Sequence, residues 1–234
     1  MPNAVITGAT QGIGKAIAEK FLSEGFDIVI CARNAQDLDT IKTSWAKQYP
    51  QRMVLVTPTD VATKEGAFAF ADVVLQSFTT IDVLVNNAGT YYPGSLADEP
   101  DGQLEMLMNL NLFSAYHITR RLLPAMKKQQ QGHIFNMCSV ASHKAYPNGG
   151  AYSITKYAML GFSENLREEL KNDLIKVTSV SPGAVYSRSW DGSGVPQERI
   201  MQAADIADMV WAAYNLSPQA CVETILIRPQ LGDL

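Results

Sequence analysis

Residues 3–14 read NAVITGATQGIG, and this stretch decides the fold class. Its first half is apolar, as a buried strand requires, and its second half carries Gly8, Gly12 and Gly14 at the start of a run with helical spacing. Glycines at a strand-to-helix junction let the backbone turn tightly and approach a pyrophosphate, which binds to the free N–H groups of the helix. A plain tight turn would also use glycine, but three glycines at the first such junction indicate a dinucleotide site.

The rest of the chain alternates strand-like and helix-like stretches. Strands are predicted over residues 3–7, 27–32, 52–57, 81–86, 132–139, 175–181 and 222–228. Helices are predicted over residues 12–23, 35–49, 64–78, 101–128, 152–172 and 205–216. Because the strands are continuous apolar runs, they predict a parallel sheet with helices on both faces, a three-layer, doubly wound α/β fold. We interpret residues 1–234 as one domain, with a short substrate loop at about 187–200.

The composition argues against several classes of partner. The chain has 234 residues, of which 47% are hydrophobic and 18% charged, and a net charge of −4 without a basic tract. Nucleic acid is therefore not expected as a partner. No apolar run reaches the length of a membrane span, and the N-terminus lacks the pattern of a signal peptide. We expect a soluble, cytoplasmic protein with no membrane partner.

The cysteines indicate reduced thiols. Cys31, Cys138 and Cys221 are odd in number, widely spaced and set in apolar runs. This pattern favours small buried side chains over a disulfide or a zinc site. No cluster of His, Cys and carboxylates occurs at ligand spacing, so no metal is expected.

The end of the second predicted strand indicates which dinucleotide binds. An acidic residue at this point holds the ribose 2′-hydroxyl of NAD, whereas an arginine suits the 2′-phosphate of NADP. This chain has Arg33 and Asn34 there, and Asp27 lies at the opposite end of the strand. NADP(H) is therefore the preferred cofactor, with NAD(H) as the alternative.

Candidate reactive residues follow other strands or lie on a later helix. Asp60, Asn87 and Ser139 come at the carboxyl ends of predicted strands, where ligands of open α/β sheets bind. Tyr152 and Lys156 lie four residues apart on a predicted helix, so their side chains share a face. A nearby cation favours a phenolate, which lets a tyrosine act as a general acid or base.

Together these pieces resemble the short-chain dehydrogenase/reductase family over essentially the whole chain. The matching segments, in the family's order and spacing, are TGATQGIG at 7–14, Asp60-Val61, NNAG at 86–89, Asn111 in LNLF, Ser139, Tyr152-Ser-Ile-Thr-Lys156 and Pro182-Gly183. The resemblance implies a Rossmann fold with strand order 3-2-1-4-5-6-7. It also implies an oxidoreductase that moves a hydride between a nicotinamide and a carbonyl or alcohol substrate.

The resemblance assigns roles to individual residues. Tyr152 would exchange a proton with the substrate oxygen, while Lys156 would favour the ionised phenol and bind the nicotinamide ribose. Ser139 would hold the substrate oxygen, and Asn111 would anchor a water that relays protons. Cofactor contacts are expected from Gly8, Thr10, Gln11, Gly12, Ile13, Gly14, Arg33, Asn34, Asp60, Val61, Asn87, Ala88, Gly89, Tyr152, Lys156, Pro182, Gly183, Val185 and Ser187.

The chain departs from the family pattern in a few places. Cys138 stands where many relatives have a second serine, and it is expected only to pack. Ser187 replaces a threonine but keeps a hydroxyl for the nicotinamide amide. The segment after it is short, which predicts a small substrate lid. Candidates for the wall of the substrate pocket are Tyr91, Tyr92, His143, Tyr146 and Trp190.

The substrate stays open at this point. A 3-oxoacyl thioester comes first, followed by a pteridine side-chain ketone or another small ketone. A non-catalytic NADP(H)-binding sensor is the alternative from another class, although a sensor needs no tuned phenol. A methyltransferase-like fold has no use for the Tyr-x-x-x-Lys pair. The apolar runs 106–108 and 110–113 predict a helix buried on more than one face, and the resemblance implies a homodimer or homotetramer.

Overall fold

A parallel sheet forms the centre of the molecule, in a computed structural model that describes residues 1–187 and 194–233. Its strands in this part of the chain are β1 (Asn3–Thr7), β2 (Asp27–Ala32), β3 (Val54–Pro58), β4 (Val83–Asn86), β5 (Gly132–Met137), β6 (Ile175–Pro182) and β7 (Thr224–Ile227). They pair in parallel in the order β3-β2-β1-β4-β5-β6-β7. The predicted strand order is confirmed.

Helices connect the strands and cover both faces of the sheet. They are α1 (Gly12–Ser23), α2 (Ala35–Gln48), α3 (Lys64–Ser77), α4 (Gln103–Met108), α5 (Ser114–Gln129), α6 (Gly150–Leu170) and α7 (Ala203–Tyr214). A π-helical segment, Asn109–Phe113, joins α4 to α5 without a break in the helical path. The predicted helix over 101–128 is therefore one helical run with a local change of hydrogen bonding.

Side chains along β1 point alternately to the two faces of the sheet, which explains why the helices form two layers. Ile6 belongs to one apolar core, which holds Phe21 of α1 and Val210 of α7. Its neighbour Val5 belongs to a second core on the opposite face, with Phe70 of α3. Side chains of adjacent strand residues point to opposite faces, so a strand that is apolar throughout needs cover on both. Each fully buried side chain of this size contributes about 1.5–3 kcal/mol to folding.

A buried chain of hydrogen-bonded polar groups fixes the positions of α5 and α6 along the sheet. Asn86 Nδ2 on β4 donates to Thr119 Oγ1 on α5 and to Asn136 Oδ1 on β5, at 2.9 and 2.8 Å. Asn136 Nδ2 in turn donates to Ser163 Oγ on α6 at 3.1 Å. Because an unpaired buried amide costs free energy, sliding α5 or α6 along the sheet is disfavoured.

Several element boundaries differ from the predicted ones for local reasons. β4 begins at Val83, two residues later than predicted, because the Gln129 side chain bonds both the N–H and the carbonyl of Ile81. α6 begins at Gly150, two residues earlier than predicted. Its start is stabilised by a side chain from a distant loop, which sequence periodicity cannot register.

Cys31, Cys138 and Cys221 are free thiols, and the first two are buried. Burial raises the pKa of the Cys31 thiol to about 12 and that of Cys138 to about 11, so both stay protonated at neutral pH. Cys221 is only partly buried, which corrects the expectation of full burial for this residue.

Two kinds of feature are absent from the part of the chain that the structure describes. No helix within 1–187 or 194–233 combines the length and the apolar character needed to cross a membrane. In the same two ranges, no group of three or more His, Cys, Asp or Glu side chains is arranged to hold a metal ion.

Candidate active site

A cleft of about 1140 Å³ opens at the carboxyl ends of the central strands. The crevice lies where β1 sits between β2 and β4, the point at which the direction of strand succession reverses. All the residues expected to contact a cofactor line it: Gly8, Thr10, Gln11, Gly12, Ile13, Gly14, Arg33, Asn34, Asp60, Val61, Asn87, Ala88, Gly89, Tyr152, Lys156, Pro182, Gly183, Val185 and Ser187. Ser139 also faces the cleft, whereas Asn111 is buried and is not part of this lining.

The glycine-rich turn needs glycine for two different reasons. Gly8 and Gly12 adopt φ of +66° and +56°, a left-handed conformation that side chains disfavour. Gly14 has an ordinary backbone, but a Cβ there would lie 2.3 Å from Asn87 Nδ2 and 2.5 Å from the Gly8 carbonyl oxygen. The first two glycines shape the turn, and the third lets α1 approach the loop after β4.

A second set of contacts locks this turn to the neighbouring strand. Asn87 Nδ2 donates to the carbonyl oxygens of Thr7 and Gly8, each at 2.9 Å. The Thr7 hydroxyl accepts from the N–H groups of Asn87 and Ala88 at 3.0 and 2.9 Å. Thr7 belongs to the TGATQGIG motif but was not among the expected site residues, since a threonine at a strand end is ordinary. These bonds hold the turn in one conformation, so its N–H groups keep a fixed orientation toward the cleft.

The carboxyl end of β2 is followed by an arginine, and the acidic residue that would bind the ribose of NAD is absent there. Arg33 is exposed at the edge of the cleft, and no acidic side chain follows β2 directly. Asn34 Oδ1 accepts from the N–H groups of Gln36 and Asp37, so this side chain caps α2. Arg33 therefore places a guanidinium at this corner of the cleft, while Asn34 sets the position of α2.

Asp60 and Val61 form another wall of the cleft. The Asp60 carboxylate accepts from the Ala62 N–H at 3.1 Å, which shapes the turn into α3. Val61 is buried. An apolar wall next to a bent, polar turn suits the flat face of a base.

Tyr152 and Lys156 occupy consecutive turns of α6 and both face the cleft. The Lys156 ammonium lies 5.7 Å from the centre of the Tyr152 ring. It donates to the Met137 carbonyl at 2.8 Å, and the lysine is only 7% exposed. This bond to β5 holds a buried cation next to the phenol.

Ser139 follows β5 directly and is held by its own short 3₁₀ turn, Val140–Ser142. Its Oγ accepts from the Ala141 N–H at 3.1 Å, and its N–H donates to Ser142 Oγ at 3.2 Å. A hydroxyl carries one proton to donate, and accepting a bond leaves that proton available. Ser139 can therefore donate to an oxygen in the cleft.

Asn111 lies in the π-helical segment and connects two parts of the site. Its Oδ1 accepts from the Thr90 N–H at 2.8 Å, and its Nδ2 donates to the Thr90 carbonyl and to Thr155 Oγ1, each at 3.1 Å. π-helical turns are frequent at functional sites. The Asn111 amide thus ties the loop after β4 to α6, one residue away from Lys156.

The five aromatic or histidine candidates for the pocket wall have different outcomes. Tyr91 lines the cleft, and its ring lies edge-on to that of Tyr152 with centroids 4.8 Å apart. Burial, and next a hydrogen bond with the Tyr91 hydroxyl, raise the pKa of Tyr146, so this phenol adjoins Tyr91. Tyr92 is exposed and does not line the cleft, and the His143 ring is bonded to Ser181 Oγ at 2.9 Å. Trp190 lies outside the described residues, as do the other residues from 188 to 193 of the predicted substrate loop.

The donor set fits a dinucleotide. The glycine-rich turn lines the cleft, the N-terminus of α1 opens into it, and Arg33 stands at its edge. The pyrophosphate would meet the N–H groups of the glycine-rich turn, and a 2′-phosphate would meet the guanidinium.

Comparisons with known proteins agree with this geometry. A family model described as short chain dehydrogenase matches residues 2–194. An uncharacterised oxidoreductase of Staphylococcus epidermidis is 32% identical over 226 residues, a match that covers 97% of this chain and 96% of the relative.

Solved structures resemble the chain over nearly its whole length. A metagenomic short-chain oxidoreductase in complex with NADP is 30% identical, with a TM-score of 0.85 over 98% of this chain and 97% of its own. L-sorbose reductase from Gluconobacter frateurii, complexed with NADPH and L-sorbose, is 28% identical, with a TM-score of 0.90 over 100% of this chain and 96% of its own. The chain belongs to the short-chain dehydrogenase family of oxidoreductases.

Proposed function

We propose that this oxidoreductase transfers a hydride between NADP(H) and a carbonyl or alcohol substrate, with Tyr152 as the general acid or base. The observation that carries this proposal is the Tyr152–Lys156 pair, in which a nearly buried ammonium is bonded to the Met137 carbonyl beside the phenol. Ser139 faces the same cleft and has a proton to donate. A dinucleotide-binding protein without chemistry has no need of this arrangement.

The chain's own groups support the choice of cofactor. The glycine-rich turn would hold the pyrophosphate, Val61 would pack against the adenine, and Arg33 would pair with a 2′-phosphate. When bound, the nicotinamide supplies or accepts the hydride. Both solved structures described above contain NADP or NADPH, which supports the same preference. NAD(H) stays the weaker alternative.

The residues of the cleft would handle the proton and the developing charge. In the reduction direction, Tyr152 donates its proton to the substrate oxygen, and in oxidation it takes that proton back. Ser139 donates a hydrogen bond to the same oxygen and stabilises the negative charge that builds up there. Lys156 favours the phenolate that remains after proton donation.

The role proposed for Asn111 is limited by its contacts. Its amide hydrogens are directed at the Thr90 carbonyl and at Thr155 Oγ1. A relay water would therefore need the remaining lone pair of Oδ1 or a main-chain group in the π-helical segment. We propose that Asn111 mainly aligns the loop after β4 with α6, and that any water it binds is held through an oxygen.

Assembly into a homodimer or homotetramer is part of this proposal. A single chain leaves Leu104, Met106, Phe113 and Tyr116 exposed on the helical run from α4 to α5, with Tyr157 exposed on neighbouring α6. The predicted burial of this helix on more than one face would require a partner subunit to cover these side chains. Such an apolar face suits a subunit interface. Sedimentation at micromolar concentration tests this, and a monomer would contradict it. The cytoplasmic location stays a prediction from the sequence.

The experiment that tests the function combines cofactor and substrate. Purified protein is incubated with NADPH and a panel of carbonyl compounds while the cofactor absorbance is followed. The panel includes 3-oxoacyl thioesters, a pteridine with a side-chain ketone, small ketones and, because of the similar sorbose reductase, ketoses. Turnover that is absent in Tyr152→Phe supports the proposal. Tight NADPH binding without turnover on any carbonyl would favour the sensor alternative.

A further inference from the structure

We propose that Glu99, in the loop between β4 and α4, is a positioning residue for Tyr152. Its carboxylate caps the first turn of α6 and so fixes the direction in which the Tyr152 phenol enters the cleft. The inference rests on the proposed function, because it assumes that the placement of this phenol limits the rate.

The central contact is a single hydrogen bond at the start of α6. The Ala151 N–H donates to Glu99 Oε1 at 2.7 Å, across 52 positions of the sequence. The first N–H groups of a helix have no partner within the helix. Ala151 is the residue immediately before Tyr152, so this bond acts on the backbone that carries the phenol. A carboxylate at this end also interacts favourably with the helix dipole.

Two glycines make room for the Glu99 side chain. Gly150 has φ of +39°, and a Cβ there would lie 1.9 Å from Glu99 Oε1. A Cβ on Gly94 would lie 2.8 Å from Glu99 Cγ. Any larger residue at either position would displace the carboxylate. The Glu99 side chain is therefore partly buried and packed closely against both glycines.

The loop that carries Glu99 is attached to the catalytic residues at several other points. Thr90 exchanges two hydrogen bonds with the Asn111 side chain. Tyr91 packs its ring edge-on against Tyr152. The Gly94 N–H donates to the Asn148 carbonyl at 3.0 Å, close to the start of α6. Residues 90–99 thus hold Tyr152 from two sides, by its ring through Tyr91 and by its backbone through Glu99.

The turn before Glu99 holds the residue in this position. The Glu99 N–H donates to the Ser95 carbonyl at 3.0 Å, and the Ala97 N–H donates to Ser95 Oγ at 3.2 Å. Because the backbone that carries Glu99 is already ordered, little conformational entropy is lost when the carboxylate contacts the helix end. Hydrogen bonds thus connect this turn, the Glu99 side chain and the first turn of α6.

The test compares Glu99→Ala, Glu99→Gln and Asp98→Ala. Asp98 is exposed in the same loop, so its removal changes the charge equally without touching α6. Two quantities are measured: kcat and KM on a carbonyl that the wild type reduces, and hydrogen exchange of the amides over residues 150–153 in the protein without substrate.

We expect Glu99→Ala to lower kcat about 10-fold and to leave the KM for NADPH within about 2-fold, since loss of a partly buried hydrogen bond to a charged group changes rates on this scale. Its amides at 150–153 should exchange at least about 10-fold faster, with the rest of the sheet unchanged. Glu99→Gln should recover most of the rate, because the amide oxygen accepts the same bond. Asp98→Ala should behave as the wild type.

Three results would overturn the inference. One is an unchanged kcat in Glu99→Ala while Tyr152→Phe is inactive, and another is an equal effect in Asp98→Ala. The third is faster exchange over the whole sheet, which would indicate a general loss of stability. If Tyr152→Phe keeps full activity, the proposed function itself fails, and the exchange at 150–153 alone then decides whether Glu99 holds the helix. If Glu99→Ala does not fold, Glu99→Asp, whose carboxylate is one methylene short, replaces it with the same expectations.

Discussion

The Lys156 ammonium lies 5.7 Å from the centre of the Tyr152 ring and donates to the Met137 carbonyl at 2.8 Å. The lysine is thus held by β5 rather than by the helix that carries it. Because β5 also leads into Ser139, the same strand sets the position of the cation and of the hydroxyl. The three groups share one rigid support.

Replacing Lys156 by methionine should abolish most of the activity. We expect Lys156→Met to lower kcat by about 10²–10³, because the phenol loses the cation that supports proton transfer. Its unfolding temperature should not fall sharply, since methionine has a similar volume and buries no charge. Steady-state kinetics and thermal unfolding give both quantities, with exposed Lys128→Met on α5 as the control. Wild-type kcat in a folded Lys156→Met would contradict the assigned role.

Arg33 should determine the choice between the two dinucleotides. Arg33→Ala is expected to weaken NADPH binding about 10- to 100-fold and to leave NADH nearly unchanged, because only NADPH carries the 2′-phosphate. Ala32→Asp should act in the same direction by placing an acid beside the ribose. Fluorescence titration with both cofactors measures this. Equal losses for NADPH and NADH would show that Arg33 does not discriminate.

Gly14→Ala tests whether the close approach of α1 is needed. The new Cβ would clash with Asn87 Nδ2 and the Gly8 carbonyl, so the glycine-rich turn must shift. We expect NADPH to bind at least about 10-fold more weakly, since overpacking costs about 1–3 kcal/mol. Gly161→Ala makes the same change on α6, where a Cβ meets no atom within 4 Å, and should leave the affinity unchanged. Identical affinities for the two variants would remove the argument for Gly14.

Much of the site could be predicted because its residues follow strands. In a parallel sheet the strand ends meet at one edge, so Gly8, Asn87 and Ser139 had to come together once the strand order was known. Tyr152 and Lys156 could be paired for a similar reason, since helical spacing alone places them on one face. Local pattern and topology were sufficient for these residues.

The remaining features depend on contacts between distant parts of the chain. Nothing in the local sequence indicates that Glu99 meets Ala151, that Asn111 binds Thr90, or that Tyr91 packs on Tyr152. Glu99 and Tyr91 lie in a loop without periodicity, whose path is set by the helices around it. The π-helical segment escapes prediction because it keeps the helical spacing of its apolar residues.

His133 should make stability depend on pH. It lies on β5, only 2% exposed, with Nε2 2.7 Å from Thr178 Oγ1. Burial, and next the charge of Lys176, lower the pKa of His133 to about 3. The folded protein therefore keeps this ring neutral where the unfolded chain, with an ordinary pKa of about 6.5, already binds a proton. The stabilisation of the folded state by neutral His133 is complete above the pKa of the unfolded chain, about 6.5, and is lost as the pH falls toward 3.

This loss of stability can be measured between about pH 7 and about pH 5. Over that interval the difference in pKa lowers the free energy of unfolding by about 2 kcal/mol. His133→Gln, which keeps a polar partner for Thr178, should show a correspondingly flatter dependence in this window. Urea unfolding at several pH values compares it with the wild type, and the difference between the two slopes isolates His133 from the carboxylates. Parallel slopes would mean that this ring titrates normally in the folded state.

Proton transfer by Tyr152 is tested by comparing Tyr152→Phe with Tyr157→Phe on a carbonyl that the wild type reduces with NADPH. The two variants lose the same hydroxyl from positions five residues apart on α6, but Tyr152 lines the cleft and Tyr157 is exposed outside it. We expect Tyr152→Phe to bind NADPH normally and to lose about 10²–10⁴ in kcat, whereas Tyr157→Phe should retain the wild-type rate. Comparable turnover by Tyr152→Phe and the wild type would show that this phenol does not transfer the proton.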